Sequence, residues 1–443
     1  MRRATFLSAL LVSAITSGAC AGHIQSEPAP MPPSARAAFR ATVDSLVGDR
    51  IFRSAQWGLI VVDPISHDTL LSRNAGKLFV PASNQKILTS ATAVAQLGPE
   101  FRFVTRFATN GTVHDATLDG DLIVVGRGDP TFSDAMRGDF RNAFREMADS
   151  LARLGITRIR GSLRRAGDAF PDDQYGFGWE FDDQDEPYGA GVDELYVNEG
   201  FVRALRPGAG REPVMRNVAI RDHAAAFLGA LRDALAEHTI ALVGDIQSDT
   251  PVSDSGLTTL FSLSSVTLRQ ILPHLMKPSQ NQIAEIFYKT LALEKTGVGS
   301  ADSARRIIER QLTLWGAESD GFVVRDGSGL SRHDFVTPET IVRVLDAMRL
   351  HREFAAFYEA LPVAGVDGTL ATRMKGTAAD HNVRAKTGTV DKARSLSGYL
   401  TTADGRQLVF SFLCNNFTVP NREVERVQDA ILVWLASRPF PAR

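Results

Sequence analysis

The stretch Ser83-Asn84-Gln85-Lys86 and the tripeptide Ser279-Gln280-Asn281 stand 196 residues apart, serine to serine. Connections between neighbouring elements run about 4–6 residues, so this interval is no loop. If the two signals serve one site, the chain must leave the first element, build a folded unit of its own and return. The intervening stretch of about 160 residues therefore reads as a folded insertion of its own.

The texture of the chain supports that division. Ala35–Val47 has helical spacing, with Phe39, Val43 and Leu46 on one face. The apolar run Trp57–Val62 reads as a buried strand. Thr69-Leu70-Leu71 is its hairpin partner beyond the Asp63-Pro64 turn. A helix opens at Pro81-Ala82-Ser83 and stops at Gly98-Pro99. Residues 101–259 then alternate short strands (101–107, 122–125) with helices near 136–154 and 222–237, around an acidic, aromatic segment from Trp179 to Tyr196. Helices return at 282–293, 302–315 and 338–360. Strands follow at 384–390, 395–401 and 407–413, and a helix at 422–435 closes the chain.

The amino terminus is of another kind. Arg2 and Arg3 precede the apolar run Phe6–Val12, and small residues follow, so residues 1–19 read as a secretory signal peptide too short to span a membrane. Export places the protein in the periplasm or cell envelope. Removing both arginines moves the formal charge from −2 to −4, which gives no electrostatic footprint for nucleic acid. Residues 20–35, with Pro28, Pro30, Pro32 and Pro33, suit a tether. Cys20 sits where lipoproteins carry a lipidated cysteine, but Ser17 occupies the position where such signals have leucine. Membrane attachment through Cys20 and ordinary cleavage nearby both remain open. Cys414, in an apolar run, reads as a small buried hydrophobe.

A serine hydroxyl is a poor nucleophile until a base takes its proton. Ser83 and Lys86 are i and i+3, so a helix puts them on one face, and Lys86 is the only lysine with a serine three places before it. A lysine in a dry pocket has its pKa lowered and can be that base. Set against this, Ser83 also suits a plain helix N-cap. Ser279 precedes a helix, where it can pass a proton to a leaving nitrogen, while Asn281 holds Lys86 and a substrate amide. Lys386-Thr387-Gly388-Thr389 lies in an extended segment, an edge to pair with an extended peptide. There Lys386 binds a terminal carboxylate, Gly388 allows close approach, and the Thr389 amide completes an oxyanion hole with that of Ser83.

Two of these patterns have duplicates. Ser72-Arg73-Asn74 precedes the nucleophile and sits in a turn. Lys295-Thr296-Gly297 ends a helix, with Gly297 as its C-cap. No G-x-S-x-G occurs, and the nine histidines contain no H-E-x-x-H. Neither metal nor cofactor is called for. Asp182, Asp183, Asp185 and Glu186 read first as a solvated face, with contact to a polar peptide as the functional alternative. Arg373 is either an ion-pair partner or a binder of substrate carboxylate.

With these motifs in order, the chain resembles the class C low-molecular-mass penicillin-binding proteins, the D-alanyl-D-alanine carboxypeptidase/endopeptidase family. Val125–Thr131, Asp326–Arg332 and Val366–Leu370 add to the likeness, the last two as loops shaping the cleft. Gln280 departs from it, standing where Asp or Asn is expected. The resemblance implies an α/β (α+β) fold: a transpeptidase-like domain made of two segments, 36–100 and 260–443, with an inserted domain region at 101–259, a helix-covered antiparallel sheet and the Lys386 strand at the cleft edge. It implies a Ser83 acyl-enzyme formed on peptidoglycan stem peptides and by β-lactams. Two rivals are a β-lactamase, which has no such insertion, and a catalytically silent peptidoglycan-binding module.

Overall fold

The computed structural model describes residues 31–207 and 212–439. The signal peptide, Cys20 and most of the tether lie outside the described residues. The tether ends sooner than expected, because a helix begins at Pro33, where proline's fixed φ suits the first helical position.

The principal sheet has five antiparallel strands, in the order 384–390, 393–401, 407–415, 56–63 and 68–73. Strands from both ends of the chain therefore share one sheet. The strand Arg384–Val390 is its edge, as the resemblance implies. Alternation assigns its two faces. Leu408, Phe410, Phe412 and Cys414 enter one apolar core with Leu59 and Val61, beneath the helices Pro33–Val47 and Asn421–Ala436. Val409, Leu413, Tyr399 and Ile60 face the other core, built from the helices Gln85–Leu97, Asn281–Thr296 and Pro338–Leu350. The Gln85–Leu97 helix is buried almost throughout, so its polar Lys86, Thr89 and Ser90 sit in a dry interior.

The inserted region has a third core, where the helices Arg141–Arg153 and His223–Glu237 pack with strands of two mixed sheets, one five-stranded and one four-stranded. Its entering strand Val104–Thr109 pairs antiparallel with its leaving strand Thr258–Ser264, Val104 opposite Ser264. The chain thus returns beside its point of departure. The expected division at residue 260 falls inside that leaving strand.

Three expectations change in detail. The helix expected over 136–154 is two, Asp134–Arg137 and Arg141–Arg153, parted at Gly138, whose φ of 72° leaves the helix. The helix expected over 338–360 breaks after Leu350 and resumes at Phe354, because His351 turns extended. Ser72 and Arg73 lie in the strand Asp68–Arg73, and only Asn74 has left it for the turn.

Candidate active site

Ser83 lies in a 3-10 turn, Ala82–Asn84, that leads into the Gln85–Leu97 helix. This turn is tied down from the sheet. Asn84 donates to the Lys386 carbonyl at 2.8 Å and accepts from the Ser397 hydroxyl at 2.6 Å. Ser395 donates to the Pro81 carbonyl at 2.7 Å, and the Asn415 amide brackets Val80. A Cβ on Gly388 would lie 2.0 Å from Ser395 Oγ and 2.8 Å from the Pro81 carbonyl, so glycine is what lets the edge strand close on the nucleophile turn. Ala82 and Ser279 both take left-handed backbone, at φ 49° and 65°. Such strain in residues with a Cβ persists where surrounding contacts impose it, typically at functional sites.

Lys86 is fully buried. Its Nζ lies 2.9 Å from Ser83 Oγ, 2.6 Å from Asn281 Oδ1 and 2.8 Å from the Ser328 carbonyl. Burial pulls its pKa down from 10.5 to about 7, against the opposing pull of Asp326, Glu285 and Asp334. Asn281 is oriented by its own amide, which donates to the Tyr188 carbonyl at 2.8 Å. Lys386 is also buried, its Nζ on the Thr387 carbonyl at 2.9 Å, and burial with the nearby Lys86 charge holds its pKa far below the lysine range.

Lys86 and Lys386 lie behind the wall of a cleft of about 540 Å³ and do not line it. Ser83, Ser279, Asn281, Thr387, Gly388 and Thr389 line it, so the three motifs meet although 303 positions separate the first serine from Lys386. Gly329 and Arg332 bring in the Asp326–Arg332 loop, and Thr369 the Val366–Leu370 loop; Thr387 donates to Thr369 at 2.7 Å. The acidic segment divides: Glu180 and Asp183 line the cleft, while Asp185 pairs with Arg221.

Arg373 is not in the cleft. Its guanidinium grips Asp429, 2.6 Å at the nearest contact, and Gln428 at 3.2 Å, fastening its loop to the closing helix. Its Nε and Nη2 donate to Asp429, Gln428 and the Glu425 carbonyl on the closing helix, so the ion-pair reading describes it and the expectation of substrate binding is corrected. Gln280 caps the Asn281–Thr296 helix by accepting from the Ile283 amide at 2.8 Å. Its departure from the motif therefore leaves the cleft untouched. The duplicate Lys295-Thr296-Gly297 is an exposed helix end, with Gly297 at φ 81°.

Three carboxylates packed near Lys86 escaped sequence reasoning. Glu285, Asp326 and Asp334 are all buried. Burial raises the Glu285 pKa to about 8, helped by the Asp326 charge, and lifts Asp334 well above the carboxylate range. The signals were Glu285 standing one helical turn beyond Asn281 and Asp326 heading the loop that the resemblance set at the cleft. Among the described residues no cluster of ligating side chains could hold a metal ion, and no helix is long and apolar enough to cross a membrane.

Comparison with known proteins gives the family. The D-Ala-D-Ala carboxypeptidase 3 (S13) family matches residues 39–212 and 207–438. The chain belongs to that family, as its motifs implied. It is 32% identical over 463 aligned residues to the D-alanyl-D-alanine carboxypeptidase of Actinomadura sp. (strain R39), covering 90% of this chain and 84% of that one. It is 26% identical to the D-alanyl-D-alanine carboxypeptidase DacB of Haemophilus influenzae, over 83% of this chain and 86% of that protein. The crystal structure of penicillin binding protein 4 (dacB) from Haemophilus influenzae superposes with a TM-score of 0.77, covering 88% of this chain and 98% of that one at 21% identity. The fold class read from the sequence is thereby established.

Proposed function

We propose that this chain is a serine-type D-alanyl-D-alanine carboxypeptidase, with endopeptidase capacity, acting on peptidoglycan stem peptides in the cell envelope. One observation carries the reading: a desolvated lysine amine lies 2.9 Å from a serine hydroxyl that opens onto the cleft, with Ser279 and the Lys386 strand on the same walls. Membership of the family and the names of its relatives support it.

Lys86 takes the Ser83 proton as Oγ attacks the carbonyl of the penultimate D-alanine. The carbonyl π pair moves to oxygen, where the Ser83 and Thr389 amides receive the charge. Ser279 relays the proton to the leaving nitrogen, the C–N bond breaks and the acyl-enzyme remains. Asn281 holds Lys86 and the substrate amide. Lys386, kept dry in the free enzyme, takes the terminal carboxylate, which restores its charge. Thr387, Gly388 and Thr389 pair with the extended peptide. Water then frees Ser83. When the leaving amine belongs to a second stem, the same steps cleave a cross-link.

The rim carboxylates Glu180 and Asp183 suit a cationic group on the stem. Export by the leader at 1–19 fits an envelope substrate. A lipid on Cys20 would hold the enzyme at a membrane, and a fatty-acyl mass on the mature amino terminus is its test.

Incubation with a D-Ala-D-Ala stem peptide and, separately, a chromogenic β-lactam distinguishes the readings. The expected result is released D-alanine with slow β-lactam turnover. Rapid β-lactam hydrolysis without D-alanine would make the chain a β-lactamase, and no reaction with either a silent module.

A further inference from the structure

A neutral primary amine has two N–H bonds and one lone pair. Lys86 Nζ has three oxygens within 2.9 Å. Two of them, Asn281 Oδ1 and the Ser328 carbonyl, can only accept. The neutral amine spends both N–H bonds on them, and its lone pair is left for the Ser83 hydroxyl, the one partner able to donate. The two acceptors thus set the direction of proton transfer. Displace either, and an N–H can turn toward Ser83 Oγ while the lone pair points elsewhere.

The Ser328 carbonyl is a backbone group on a loop, so something must hold it. Glu285 accepts the Gly327 amide at 3.0 and 3.1 Å on its two oxygens and the Ser328 amide at 2.8 Å. Asp326 accepts the Gly329 amide at 2.6 Å and the Ser331 amide at 2.7 Å. Asp326 in turn receives the Trp179 indole N–H at 2.9 Å. A Cβ on Gly329, whose φ is 79°, would lie 1.9 Å from the Ala82 carbonyl, so the loop is pressed against the nucleophile turn. Glu285 shares its helix with Asn281. Trp179 belongs to the inserted region, in the same segment whose Tyr188 carbonyl turns Asn281 Oδ1 toward Lys86.

We propose that Glu285 and Trp179 are positioning residues for the general base, fixing the Ser328 carbonyl against Lys86 from two sides so that the amine lone pair faces Ser83. This rests on the reading of Lys86 as the base. It gives the inserted region a part in the chemistry without any of its side chains touching the reacting atoms. The charged groups around Lys86 are Asp326, Glu285 and Asp334, and Lys386 on the edge strand.

The test is the rate of penicillin acylation against pH for the full chain and for Trp179→Phe and Glu285→Gln, each checked by thermal melting. Trp179→Phe keeps an aromatic ring and removes one donor. Glu285→Gln keeps the shape and the oxygen that the Gly327 and Ser328 amides share, and sets an amide donor against Gly327 where the second oxygen stood. A purely electrostatic role for the ionised form of Glu285 would move the pH limb to lower pH and leave the plateau, because a carboxylate there favours the lysine cation. Positioning lowers the plateau. The expected result is a plateau reduced by about ten- to a hundredfold in both variants, the scale of a small misplacement at a reacting centre. The double variant should fall no further than the worse single, since both act through one carbonyl. Wild-type plateaus, with or without a lower melting temperature, would overturn the proposal. A Ser83→Ala chain that still takes the penicillin label would overturn the reading beneath it instead.

Discussion

Lys-Thr-Gly occurs twice in this chain, and the two copies differ in everything except their letters. At 295–297 the lysine is exposed on the last turn of a helix and the glycine supplies a left-handed cap. At 386–388 the lysine is wholly buried on an edge strand, and the glycine backbone lies so close to the nucleophile turn that no Cβ fits. A lysine in water keeps its charge and has no work to do. A lysine stripped of water is driven toward neutrality, and a bound carboxylate relieves that cost. Lys86, the third lysine in this contrast, is dried in the same way but set against a hydroxyl.

Substitutions can break that contrast, and their effects should fall in a definite order. Lys86→Met should slow penicillin acylation by about 10²–10⁴-fold, the range for loss of a general base. In the unsubstituted chain the rate should rise with pH through about 7, because the neutral amine is the base and burial has lowered its pKa from 10.5 to that value. A rate rising only in alkali would mean Lys86 is hydrated. Lys386→Ala should cost about ten- to a hundredfold in acylation by carboxylate-bearing substrates, as for one lost charged hydrogen bond. Arg373→Met should leave acylation unchanged and lower unfolding free energy by about 1–3 kcal/mol in denaturant titration, since Asp429 loses its partner. Lys295→Ala should change neither rate nor stability by more than about 0.5 kcal/mol.

The residues that the structure gathers at the cleft were legible because they obey short-range rules. Ser83 and Lys86 sit at helical spacing, Ser279 precedes a helix, and Gly297 follows one. The edge strand was legible from its extended texture, and its duplicate was eliminated by the same reading. What could not be read depends on distant pairing. Arg373 finds Asp429 56 positions later, and no local pattern announces it. Glu285 and Asp326 meet only when a helix and a loop pack together, and burial, which gives them their effect on Lys86, is a property of the assembled core. Trp179 opens the acidic, aromatic segment with no local sign of its partner, yet its indole reaches across to Asp326. Some local breaks were also hidden: nothing in His351-Arg352-Glu353 marks the interruption of a helix.

The central claim is that the dried Lys86 makes Ser83, and no other residue, the site of acylation. Intact mass after reaction with benzylpenicillin, followed by peptide mapping, tests it most directly. The account predicts one penicilloyl addition, carried on the peptide containing Ser83 and absent from Ser83→Ala. An adduct on another residue, or one that survives Ser83→Ala, would contradict it.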